Sequence, residues 1–118
     1  MPEKRYTNLD YLKEITGGQD DILKEFITLF FDQLPEFKIG LHEHLSHKRY
    51  KELGELAHKA KSSVMTFGME DLGWKLKELQ LKTQKLEDIE SYPDYISEFD
   101  LVIGQAELEL QEVMDQLA

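Results

Sequence analysis

Residues 53–68 read Leu-Gly-Glu-Leu-Ala-His-Lys-Ala-Lys-Ser-Ser-Val-Met-Thr-Phe-Gly. Leu53, Leu56, Ala57, Ala60, Val64 and Phe67 fall at offsets 0, 3, 4, 7, 11 and 14, the spacing of one uninterrupted buried stripe on an α-helix. Gly68 is the residue that ends such a helix. A second stripe runs beside the first: Gly54, Lys61, Ser62 and Met65 stand at −4, +3, +4 and +7 from His58 and share its face. One residue is about 100° around a helix. His58 follows core residue Ala57, so the spacing places it on the shoulder of the buried face. Gly54 and Ser62 are small and leave room for a partner surface to approach the imidazole. Lys61, one turn on, reaches the same space with its ammonium.

The same helical period extends in both directions. Upstream, Thr7 is expected to cap a short first helix that buries Leu9, Leu12 and Ile15, stopped by Gly17-Gly18. Asp20 and Asp21 favour a new start through capping and the helix dipole. The second helix buries Leu23, Phe26, Ile27, Phe30, Leu34, Phe37, Leu41 and Leu45, with a kink expected at Pro35. Ser46-His47-Lys48 is a tight connection into the helix of His58. Downstream, a helix from about Glu70 turns Met69, Leu72, Leu76, Leu79 and Leu86 inward. Ser91-Tyr92-Pro93-Asp94 reads as the next break. The last helix carries Ile96, Phe99, Val102, Ile103, Ala106, Leu110, Val113 and Leu117. No period-two strand pattern and no internal repeat is present. The expected fold is all-α: an antiparallel up-down four-helix bundle with a short additional N-terminal helix, as a single domain over residues 1–118.

Composition narrows the function classes. The 118 residues fit one core, and 41% of them are hydrophobic, which argues against disorder. The net charge of −10 repels nucleic-acid and membrane phosphates, so neither partner is expected. The absence of cysteine removes disulfides, thiolate metal sites and a thiol nucleophile, and suits a reducing cytoplasm. The start, Met1-Pro2-Glu3-Lys4-Arg5, leads into polar sequence without an apolar leader, and both ends read as natural bundle ends.

Three other chemistries fit poorly. Glu55-Leu56-Ala57-His58 matches half of a di-iron pattern, but no other histidine has a glutamate three residues before it. His42, His44 and His47 look like a cluster, but His42 and His44 lie about 200° apart on a helix and cannot share a site; a solvated surface is the expected reading of all three. Ser62 and Ser63 lack the third group and the oxyanion donors of a hydrolase. A neutral imidazole, by contrast, is a good nucleophile near neutral pH. A phosphorylated one carries close to two negative charges, which Lys61 is placed to meet.

The stretch from His58 to Leu72 resembles the signature of the histidine-containing phosphotransfer (HPt) family. His58, Lys61, Ser63, Phe67, Gly68 and Leu72 match that signature, while Ala60, Ser62 and Val64 depart from it. Leu79-Gln80 occupies the place of a Leu-Glu pair in the family, and Asn8-Leu9-Asp10-Tyr11-Leu12 and the Phe30 to Pro35 segment are also family-like. The resemblance covers nearly the whole chain. It implies a phosphorelay intermediate in two-component signal transduction: His58 as phosphoacceptor, Lys61 as phosphoryl stabiliser and Gln80 as imidazole orienter. The implied partners are receiver domains of response regulators or hybrid histidine kinases, which bring their own Mg²⁺. The chain itself needs no cofactor and no metal. It has no ATP-binding motif, so it is a phosphoryl carrier with no kinase activity of its own. Gly54, Ser62 and Met65 are candidate binding positions. Leu29, Phe30 and Phe31 are consecutive and cannot all face the core; Leu29 and Phe31 are candidate receiver-docking residues. The alternative is a helical module that binds a receiver or another helical partner without taking phosphate.

Overall fold

The computed structural model describes residues 5–117, which are largely helical with no strand. The reading of the polar start at residues 1–4 lies outside them. The helices are α1 (Asp10–Ile15), α2 (Asp20–Ser46), α3 (Tyr50–Thr66), α4 (Glu70–Lys85) and α5 (Tyr92–Leu117). A single 3₁₀ turn, Ile89–Ser91, feeds directly into α5. No helix among the described residues is long and apolar enough to cross a membrane.

The apolar periodicity becomes the core. Leu53, Leu56, Ala57, Ala60, Val64 and Phe67 are all buried, as are Leu23, Ile27, Phe30, Leu34, Phe37 and Leu41 of α2. α2 runs through the exposed Pro35 without ending. Gly68 has φ of 79°. A Cβ there would also come within 2.5 Å of the Asn8 carbonyl oxygen. Both the left-handed backbone and the passing strap select glycine.

Four local expectations are corrected. Thr7 does not cap α1: its hydroxyl and amide both donate to Glu109, while Asn8 Oδ1 accepts from the Asp10 amide at 2.9 Å. Ile15 is exposed and Thr16 takes the buried place, its hydroxyl donating back to the Leu12 carbonyl at 2.7 Å. Ile15 is the last residue of α1, and Thr16, four residues after the buried Leu12, takes the inward position. Leu86 is exposed and left-handed, with Thr83 buried in its stead. The chain break falls at Leu86 and Asp88, both at positive φ, rather than at Ser91–Asp94. Tyr92 instead anchors the start of α5. It is fully buried, and its hydroxyl donates to the Lys82 and Glu87 carbonyls at 3.0 and 2.8 Å. Lys82 lies in the last turn of α4, where carbonyls lack helical partners.

α3 packs most extensively on α4; α2 packs on α3 and α5, and α4 on α5. Cross-helix contacts give the directions. Lys59–Glu36 and Ser63–Gln33 step oppositely along α3 and α2, as Lys38–Glu107 and His42–Asp100 do along α2 and α5. These pairs therefore run antiparallel.

The N-terminal strap is fastened at both ends of its short path. The Asn8 amide donates to the Phe67 carbonyl at 2.9 Å. Glu109 of α5 accepts from the Tyr6 amide at 2.9 Å, the Thr7 amide at 3.0 Å and the Thr7 hydroxyl at 2.7 Å. Burial favours the neutral carboxyl, but the donors from Thr7 and Tyr6 outweigh it and hold Glu109 below its ordinary pKa of 4.5. A depressed carboxylate contributes stability above the unfolded-state pKa and loses it as pH falls through the lower folded value. Glu109→Gln should therefore cost about 1 kcal/mol near neutral pH and speed amide exchange at Tyr6 and Thr7. Denaturant titrations of both proteins should converge as pH drops below about 4. An equal gap at pH 7 and pH 3 would refute the carboxylate's role.

Candidate functional site

The site lies on the outer side of the α3–α4 seam. Gly54 is buried there, and a Cβ added to it would stand 2.2 Å from Thr83 Oγ1. Eleven residues further along α3, Met65 lies over Gly73, where an added Cβ would meet its side chain at 2.5 Å. The two glycines let the helices approach closely at both ends of the site. Successive contacts climb α3 while descending α4, so this pair is also antiparallel.

Between these contacts, His58 is exposed. Its Nδ1 lies 3.2 Å from Gln80 Oε1. An amide oxygen only accepts, so Nδ1 carries the proton and donates. The lone pair then resides on Nε2, the outer nitrogen. An acceptor at this position favours the Nδ1–H tautomer. Next to Gln80 an open cleft of about 440 Å³ is lined by Gly54, Glu55, Thr83, Gln84 and Leu86.

The other sequence-derived positions divide clearly. Lys61 is half-buried on the same seam and makes no ion pair among the described residues. Its neighbour Lys59 is engaged instead, with Nζ at 2.9 and 3.0 Å from the two Glu36 carboxylate oxygens. Ser62 is exposed and leaves the imidazole accessible, whereas Ser63 turns to α2 and donates to Gln33 Oε1 at 2.8 Å. Gly54 serves the helix contact with Thr83 rather than open access. Met65 is half-buried over Gly73. Leu29 is 61% exposed, whereas Phe31 packs partly against the core and offers only an edge. Leu29 stands near the far end of α3 from His58, because Gln33 already pairs with Ser63.

Sequence reasoning passed over Thr83 and Gly73. Both stand at positions of α4 spaced to face α3, and an interior helical glycine costs about 1 kcal/mol against alanine. Gly73 was therefore readable as a close-approach signal.

The remaining histidines go to separate partners. His42 Nε2 lies 2.7 Å from Asp100 Oδ2, His44 Nδ1 accepts from Arg49 Nε at 3.0 Å, and His47 Nδ1 donates to the Glu43 carbonyl at 2.9 Å. Among the described residues, no group of three or more acidic or imidazole side chains is arranged to hold a metal ion.

The seam contact is directly testable. Gly54→Ala should destabilise the fold by about 1–3 kcal/mol through overpacking, and Thr83→Ala in the same chain should restore part of that loss. Additive losses in thermal unfolding would contradict a direct contact.

Comparison with protein-family models, with curated proteins and with solved structures returns no match for this chain.

Proposed function

We propose that this protein is a phosphorelay intermediate: His58 accepts a phosphoryl group from an aspartyl phosphate on a receiver domain and passes it to a second receiver. The observation that carries this reading is the exposed imidazole whose Nδ1–H is held by Gln80 Oε1 at 3.2 Å. That arrangement directs a nucleophilic lone pair outward from Nε2. The resemblance of residues 58–72 to the HPt signature supports it independently. The bundle expected from the sequence is supported by the pairing of α2 with α3 and α5, and of α4 with the same two helices.

In the proposed step the Nε2 lone pair attacks phosphorus in line with the leaving carboxylate. The N–P bond forms as the aspartyl P–O bond breaks, and the carboxylate departs with the bonding pair. Nδ1 keeps its proton throughout, so the ring gains positive charge, which the Gln80 oxygen accommodates. Mg²⁺ and the acidic catalytic groups belong to the receiver. This chain contributes a positioned nucleophile and nearby positive charge, the terms that dominate phosphoryl transfer.

Incubation with a phosphorylated receiver should place acid-labile, base-stable label on this chain, and His58→Gln should abolish it. Gln80→Ala should slow transfer roughly tenfold through loss of ring orientation, without loss of helicity. A folded wild-type chain that takes no label from phosphorylated receivers yet binds them would instead be a non-catalytic helical module.

A further inference from the structure

The lysines of α3 and α4 are not equivalent. Lys51, Lys59, Lys75, Lys82 and Lys85 each have an Asp or Glu three or four residues away along the chain. Lys51, Lys59, Lys75 and Lys82 also make ion pairs, with Glu55, Glu36, Glu78 and Asp88. Lys61 and Lys77 differ from all of these. The residues three and four away from Lys61 are Ala57, His58, Val64 and Met65; those around Lys77 are Gly73, Trp74, Gln80 and Leu81. Neither lysine has a carboxylate three or four residues away, the Glu78 next to Lys77 pairs with Lys75, and neither lysine forms an ion pair among the described residues, in a chain with 24 acidic residues.

Their places in the seam match. Lys61 is three residues beyond His58 on α3, and Lys77 is three residues before Gln80 on the antiparallel α4. Three helical residues span about 4.5 Å. The next level along the seam is the contact of Met65 with Gly73. Both lysines therefore stand between that contact and the His58–Gln80 hydrogen bond, one on each helix. Both are half-buried, as long cationic side chains are when the stem is covered and the ammonium stays at the surface. Two ammonium groups held near each other without a counter-ion repel, and an anion between them relieves that repulsion.

We propose that Lys61 and Lys77 form a two-helix clamp for the phosphoryl group carried on Nε2 of His58. This assignment rests on the phosphorelay reading and extends it to Lys77, a residue outside the His58 stripe. Lys77 contributes charge from α4, so the phosphoryl group is gripped across the seam rather than from α3 alone. Nearby positive charge favours the dianionic phosphoryl form and lowers its last protonation midpoint.

The test uses the full chain phosphorylated by phosphoramidate, a small-molecule phosphoryl donor, so that no receiver is needed. The phosphorus NMR signal of phospho-His58 is followed against pH. Lys77→Gln should raise the protonation midpoint by about half a unit, roughly threefold in proton affinity. Lys61→Gln should act similarly, Lys77→Arg should restore the wild-type midpoint, and Lys85→Gln should leave it unchanged. A Lys77→Gln midpoint equal to wild type, with Lys61→Gln shifted, overturns the clamp and leaves the relay standing. Failure of phosphoramidate to modify His58 in the folded protein overturns the relay reading and the clamp with it.

Discussion

Where Gly54 meets Thr83, α3 and α4 touch through a backbone and a hydroxyl rather than through two full side chains. That close approach sets the geometry of everything beside it. Four residues beyond Gly54 stands His58, and three before Thr83 stands Gln80. With the helices this near, a glutamine amide reaches the imidazole across the seam directly. Gly73 repeats the device under Met65, so the helices are held close on both sides of the histidine. Separating them would cost more than packing, because the amide that fixes the imidazole tautomer would lose its reach. The core behind α3 supplies rigidity, with Leu53, Ala57, Ala60 and Val64 fully buried.

Charge is distributed to suit the same face. α3 and α4 hold seven of the 14 basic residues and only five of the 24 acidic ones. The rest of the molecule is strongly acidic and repels other anionic groups, so an anion meets the least repulsion at the seam. The carboxylates close to the site are neutralised locally: Glu36 by Lys59, Glu55 by Lys51 and Glu78 by Lys75. Exposed pairs of this kind add little stability. Their value here is that they leave Lys61 without a competing anion.

Much of this was legible in the sequence because helices write their burial into a 3.6-residue period. The stripes of α2, α3 and α5 emerge largely as read, and His58 meets Gln80 across the seam, with Lys61 one turn from His58 on α3. The misreadings fall at helix ends, where period gives way to local hydrogen bonding. Thr7 looks like a cap, but its hydroxyl is taken by Glu109, more than 100 residues away in sequence. Tyr92 beside Pro93 looks like a turn, yet its ring is buried and its hydroxyl ties off the end of α4. Gly54 was read as an opening toward the imidazole; its partner Thr83 lies on another helix, and no pattern within α3 reveals it. Leu29 and Phe31 separate only when the α2 face is known, since consecutive apolar residues carry no phase of their own.

The proposed transfer depends on Gln80 fixing the proton at Nδ1 and leaving Nε2 as the nucleophile. Nitrogen-15 NMR of the His58 ring measures this in the unmodified protein and again after phosphorylation. A proton-bearing Nδ1 in the neutral ring and a phosphorus coupled to Nε2 in the modified one are expected. A proton on Nε2 with phosphorus attached to Nδ1 would contradict the proposed transfer.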